Sequence, residues 1–200
     1  MGNNMDLNYE MFCYQCEQTA GGKGCTKLGV CGKTPEVAGL QDLLIYQLKG
    51  ISCCQKALMD RGEKPAEDIV EFVESVLFTT LTNVNFDAAV HVELLRQSQQ
   101  IKEQLRQTVG EAPEAAQVSY DLPETQAEML RDAPMAGIMY DRELDPDIRS
   151  LRQTILYGLK GISAYGHQAR ELGFRSEQVD AFYFLALEAI TDDTLSVEEL

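Results

Sequence analysis

Beyond position 34 the apolar residues recur at three- and four-residue steps, the period of a helix with one buried face, and almost no stretch alternates as a strand would. Thr34-Pro35-Glu36 supplies an N-cap, a proline for the first turn and an acid near the positive end of the helix dipole. A helix is therefore expected from there to a stop at Gly62, with Leu40, Leu43, Leu44, Leu48, Ile51 and Leu58 inward. A second opens near Pro65 with Ile69, Val70, Val73, Val76, Leu77 and Leu81 on its apolar face, and breaks at Asn83 and Asn85. A third carries Val90, Leu94, Leu95, Ile101, Leu105 and Val109 as its core stripe and ends at Gly110. Short connections between three such helices predict an antiparallel bundle over 35–110.

Residues 111–145 are rich in Pro, Glu, Asp and Ala and read as a connector, with at most a short helix around Glu124 to Arg131. After it the pattern begins again. Leu44-Ile45-Tyr46-Gln47-Leu48-Lys49-Gly50-Ile51-Ser52 aligns with Ile155-Leu156-Tyr157-Gly158-Leu159-Lys160-Gly161-Ile162-Ser163, six of nine positions being identical. The shared Lys-Gly-Ile-Ser is not a generic core pattern, so the chain reads as one helical unit used twice. The second unit, 146–200, is expected to be incomplete. Ser196-Val197-Glu198-Glu199 has the form of a capping box for a third helix, and the sequence ends at Leu200. The expected fold is all-α: a leader over 1–10, a cysteine- and glycine-rich loop over 11–34, then two repeated three-helix bundles, the second truncated.

Charge narrows the function. Asp and Glu number 32 against 17 Lys and Arg, a formal net charge of −15, which repels a nucleic-acid backbone. No run approaches the roughly 20 apolar residues of a membrane span, and no basic-then-apolar secretory signal opens the chain. A cytoplasmic protein without nucleic-acid or membrane partners is expected. In a reducing compartment clustered cysteines point to metal or redox chemistry rather than to a disulfide framework.

Four of the six cysteines crowd together as Cys13-x2-Cys16-x8-Cys25-x5-Cys31, on a segment that also carries Gly21, Gly22, Gly24, Gly29 and Gly32. Glycines permit the tight turns of a loop that wraps a guest and let backbone N–H groups approach its sulfurs. Lys23, Lys27 and Lys33 stand in or beside this segment against Glu17 alone, an electropositive island suited to an anionic iron-sulfur cluster. A tetrahedral zinc site with four cysteine ligands is the second reading and a pair of disulfides the third. Zinc is disfavoured because the second pair is spread over five residues and does not repeat Cys-x2-Cys. Cys53 and Cys54 are adjacent on a helix, about 100° apart around its axis, and read as small core residues. His91 and His167 stand alone on separate helices and read as packing or surface residues. Lys49 and Lys160 read as surface or snorkelling side chains.

The segments Phe12-Cys13-Tyr14-Gln15-Cys16-Glu17-Gln18-Thr19, Gly24-Cys25-Thr26-Lys27 and Gly29-Val30-Cys31-Gly32-Lys33 closely resemble the N-terminus of hybrid-cluster proteins, also called prismane proteins or hydroxylamine reductases. The match continues through Leu40 to Tyr46 and Leu48 to Ile51. The resemblance implies that Cys13, Cys16, Cys25 and Cys31 ligate a 4Fe-4S cluster of the strict-anaerobe spacing, which relays electrons from an electron-donor protein. It also implies that an intact relative reduces hydroxylamine to ammonia at a hybrid 4Fe-2S-2O cluster held in later domains; nitric oxide reduction is ascribed to the family as well. Those domains are missing from these 200 residues, so this fragment alone is expected to be catalytically inactive. The alternative from another class is a non-catalytic helical interaction domain with a structural four-cysteine zinc site.

Overall fold

The computed structural model describes residues 11–140 and 144–200; the expected leader over 1–10 lies outside the described residues. The fold is all-α. Its helices are α1 (Pro35–Met59), α2 (Glu67–Thr79), α3 (Ala88–Val109), α4 (Ala116–Ser119), α5 (Gln126–Asp132), α6 (Pro146–Glu171) and α7 (Glu177–Ala189). Single 3-10 turns occupy Ala20–Gly22 and Ala133–Ala136. Among the described residues the extended backbone amounts to one isolated antiparallel bridge between Cys13 and Cys25.

The local signals work as their chemistry requires. Thr34 caps α1 by accepting from the Val37 N–H, with Pro35 in the first turn. Asp145 does the same for α6, accepting from the Asp147 and Ile148 amides ahead of Pro146. Both long helices stop alike: Gly62 and Gly173 take φ of +87° and +81°. The next amides, of Glu63 and Phe174, reach back to Leu58 and Ala169. The repeat is thus visible in start, length and stop. Asp87 caps α3, and Thr125 with Glu128 forms a complete capping box on α5. At Ser196 the Glu199 carboxylate accepts from both the amide and the hydroxyl.

α1 is buried nearly all round, as a helix at the centre of an assembly must be. It packs against α3 and α7, and the segment of α4, α5 and the following 3-10 turn lies along it. α2 packs on α6. The helices of the two expected units therefore interleave around one core cluster that runs from Leu40 to Ile190. The expected connector departs from a loose linker: Val118, Met129, Leu130 and Ala133 are buried. Lys102 donates to the carbonyls of Gln117 and Tyr120, fastening the connector to α3.

The α3 stripe also differs from expectation. Its buried line passes through His91, Leu95, Ser98, Lys102, Leu105 and Val109, while Val90 is exposed. Polar groups enter that line because each finds a backbone or side-chain partner within the fold.

Candidate metal centre

The cysteine loop lies over the start of α1. Met11, Cys25, Ala38 and Ala133 form a small apolar cluster of their own, with Cys13 packed against it. Cys13 and Cys25 exchange both backbone hydrogen bonds, at 3.1 and 2.8 Å, which pins the first and third cysteines side by side. Cys16 accepts the amide of Thr19, and the Thr19 hydroxyl donates back to the Cys13 carbonyl. The Ala20 amide points at the Cys25 Sγ from 3.5 Å, an N–H···S contact of the kind that stabilises thiolate.

A second tight turn carries Cys31. The Gly29 amide donates to the Lys33 carbonyl at 2.8 Å, and the Gly32 amide to the Gly29 carbonyl at 2.8 Å. A Cβ on Gly29 would stand 3.0 Å from both the Cys31 Sγ and the Lys33 Cβ, so the turn closes this far only with glycine there.

All six cysteines are free thiols, which removes the disulfide reading. The structure brings Cys13 and Cys25 together and sets Cys16 and Cys31 in the flanking turns. Among the described residues no group of three or more His, Cys, Asp or Glu is gathered to hold a metal ion. In donor chemistry the loop fits an iron-sulfur cluster: it offers four thiols, an amide aimed at sulfur and a positively charged neighbourhood. A loop of this kind takes its final shape with its guest, because binding and local folding are coupled.

The surroundings correct one expectation. Lys160 is buried, 2% exposed, and its Nζ donates to the Thr80 carbonyl at 3.2 Å. Burial, and then the Lys33 charge, push its pKa down to about 8. Lys49 is half-buried and likewise pushed down to about 8, by burial and then by Arg152. Lys160 is not a surface lysine, whereas the half-buried Lys49 fits the snorkelling reading. The sequence holds one signal for Lys160, its place inside the repeated Lys-Gly-Ile-Ser, and that signal does not distinguish a buried lysine from a snorkelling one.

His91 is fully buried. Its Nδ1 meets the Asp87 carbonyl at 2.6 Å and its Nε2 meets the Gln41 amide nitrogen at 3.1 Å. Since Gln41 Oε1 accepts from the Lys33 Nζ at 2.6 Å, the Gln41 nitrogen is the donor and His91 is neutral with its proton on Nδ1. His167 packs its ring on Phe78 at 5.2 Å. Cys53 and Cys54 sit in the core of α1, where burial pushes their thiols up to about 12 and about 11.

Beside the loop opens a cavity of about 480 Å³, lined by Tyr14, Gln15, Cys16 and Glu17 on the loop side and by Tyr157 and Lys160 on α6. No helix among the described residues is long and apolar enough to cross a membrane.

With this geometry, the chain belongs to the Prismane/CO dehydrogenase family, whose sequence profile matches residues 11–200. Within it the chain is similar to the hydroxylamine reductase of Bacteroides thetaiotaomicron, at 41% identity over 95% of this chain and 34% of that protein. The hydroxylamine reductase of Acetivibrio thermocellus is 42% identical over 95% of this chain and 34% of its own length. That of Desulfovibrio desulfuricans is 40% identical over 97% and 35%. The chain thus spans about a third of the length of the curated relatives it matches.

Proposed function

We propose that this chain is the electron-transfer portion of a hydroxylamine-reducing protein, in which Cys13, Cys16, Cys25 and Cys31 ligate one 4Fe-4S cluster. The observation that carries the reading is the loop itself. It holds four free thiols in the order and spacing described, with Cys13 and Cys25 pinned by the backbone bridge and an amide directed at the Cys25 sulfur. The names of the relatives supply the substrate, hydroxylamine, and the intact protein would reduce it to ammonia with electrons from a donor protein.

When bound, the cluster supplies a site that takes up and releases one electron. The chain's residues do the rest: the thiolates hold it, the Ala20 amide donates toward sulfur, and the apolar cluster of Met11, Ala38 and Ala133 keeps water from one side.

Oxygen-free purification followed by iron, acid-labile sulfide and zinc analysis tests the reading. About four irons with matching sulfide per chain is the expected result. Stoichiometric zinc in a colourless preparation would replace it with a structural zinc site on the same four cysteines.

A further inference from the structure

Two buried lysines from distant parts of the sequence lie beside the cysteine loop. Lys33, two residues past Cys31, is 3% exposed and donates to Gln41 Oε1. Lys160, on α6, is 2% exposed, donates to the Thr80 carbonyl, and shares the wall of the cavity with Cys16. The Lys33 charge acts on Lys160, and Cys13 and Asp42 are the groups whose fields favour the ammonium form of Lys160. Asp42 is the carboxylate whose field acts on Lys160, one negative charge beside two positive ones.

Such an arrangement is costly by itself. A buried charge carries a desolvation penalty of several kcal/mol, and a second like charge adds repulsion. Each ammonium has one amide-type oxygen as acceptor, and Asp42 offsets one of the two positive charges. A net negative occupant of the neighbouring loop would offset the other. Repeat symmetry does not account for the placement, because Lys49, the counterpart of Lys160, lines a different cavity with Arg152 and Asp193.

We propose that Lys160, together with Lys33, is the buried countercharge of the group held by the four thiolates, and that the pair raises its reduction potential. The inference rests on the reading of those thiols as cluster ligands. Reduction adds one electron, taken from the donor protein, without making or breaking a bond, so the occupant gains one negative charge. A fixed positive charge nearby then stabilises the reduced form more than the oxidised form. Both lysines are positioning residues, acting through charge on a group that the cysteines hold.

The test is an anaerobic redox titration of the chain with dithionite, followed by electron paramagnetic resonance, on the unaltered protein, Lys160→Met, Lys160→Arg and Lys33→Gln. Iron and sulfide per chain are measured on each. The expected result is unchanged iron content with a more negative midpoint in Lys160→Met and Lys33→Gln. The expected size is about tenfold in the reduction equilibrium, or ~59 mV for a one-electron couple. Lys160→Arg keeps the charge and should restore most of the shift. If Lys160→Met fails to fold, Lys33→Gln carries the same comparison. Equal midpoints in iron-loaded variants and unaltered protein would overturn this inference alone. An unaltered protein without iron would overturn the ligand reading and this one with it.

Discussion

Glu74 on α2 stands against Gly166 on α6 so closely that a Cβ on the glycine would lie 2.5 Å from the Glu74 Oε2. The same Cβ would meet the Tyr183 hydroxyl at 2.6 Å, so three helices converge on one backbone position. Tyr183 donates to the Glu74 Oε2 at 3.2 Å, and neither group is free to retreat. Gly166→Ala is therefore expected to destabilise the chain by about 1–3 kcal/mol through overpacking. Gly158, in the same helix, has nothing within 4 Å of its would-be Cβ. There the same substitution should stabilise by about 0.5–1 kcal/mol, the usual helical gain. Urea unfolding of the two variants decides it: shifts of the same sign would refute the packing account.

Arg170 holds this junction electrostatically. Its Nε donates to the Glu74 Oε1 and one terminal nitrogen to the Asp180 Oδ1, both at 3.1 Å, with both carboxylates buried. Arg170→Met leaves the buried Glu74 carboxylate with the Tyr183 hydroxyl alone, while Asp180 keeps Arg175 at 3.0 Å, and the cost is roughly 3–5 kcal/mol. Adding Glu74→Gln removes the stranded charge and should recover much of that loss. The recovery, read from chemical denaturation midpoints, is the diagnostic; a double variant no more stable than the single would show that charge is not the cause.

Much of this fold is written in local signals, because caps and stops act over a few residues. Thr34-Pro35, Asp145-Pro146, Gly62 and Gly173 each do what their chemistry prescribes, and the inward stripe of α1 contains Leu40, Leu43, Leu44, Leu48 and Ile51 as its spacing requires. What periodicity omits is which helix lies against which. The burial of Lys160 depends on the Thr80 carbonyl 80 residues away, and that of His91 on Gln41, 50 residues away. A hydropathy stripe scores such residues as outward-facing, so the polar members of the α3 line and the packed connector over 111–145 escape it. The clustering of the four cysteines is legible for the opposite reason: their spacing is local, so the bridge that joins Cys13 to Cys25 falls within one short segment.

Cys53 and Cys54 give a simple chemical check on the separation between core and loop thiols. Burial leads the causes that push them up to about 12 and about 11, which keeps both protonated at neutral pH, and a protonated thiol is a poor nucleophile. Brief iodoacetamide treatment of metal-free folded chain, read by peptide mass spectrometry, should label Cys16 and Cys31 well ahead of Cys53 and Cys54. In denaturant the two core positions should catch up. Labelling of Cys53 or Cys54 at the rate of Cys16 in the folded state would contradict their placement.

His91 makes the stability of this region depend on pH, and the sign follows from its partners. Burial is the largest cause lowering its pKa below the ordinary 6.5, Lys33 adds to it, and the bond to the Asp87 carbonyl opposes. A histidine with a depressed folded pKa binds its proton more readily when unfolded, so between the two values the unfolded state carries more protons. Its contribution is therefore complete above 6.5 and is lost as pH falls from 6.5 through the folded value. Structurally, a proton on Nε2 would face the Gln41 amide N–H across 3.1 Å, two donors with no acceptor between them. Turning the Gln41 amide to present its oxygen would repair that contact but would take the acceptor from Lys33, which bonds it at 2.6 Å. The cost of protonating His91 thus passes to a lysine beside the cysteine loop. Unfolding free energies measured from about pH 7.5 to about pH 5.5 should fall for the unaltered chain with a slope of up to about 1.4 kcal/mol per pH unit. In His91→Gln, which cannot take up the proton, the slope over the same window should be distinctly smaller, although its stability at neutral pH is lower. Parallel pH profiles for the two proteins would place the titrating group elsewhere.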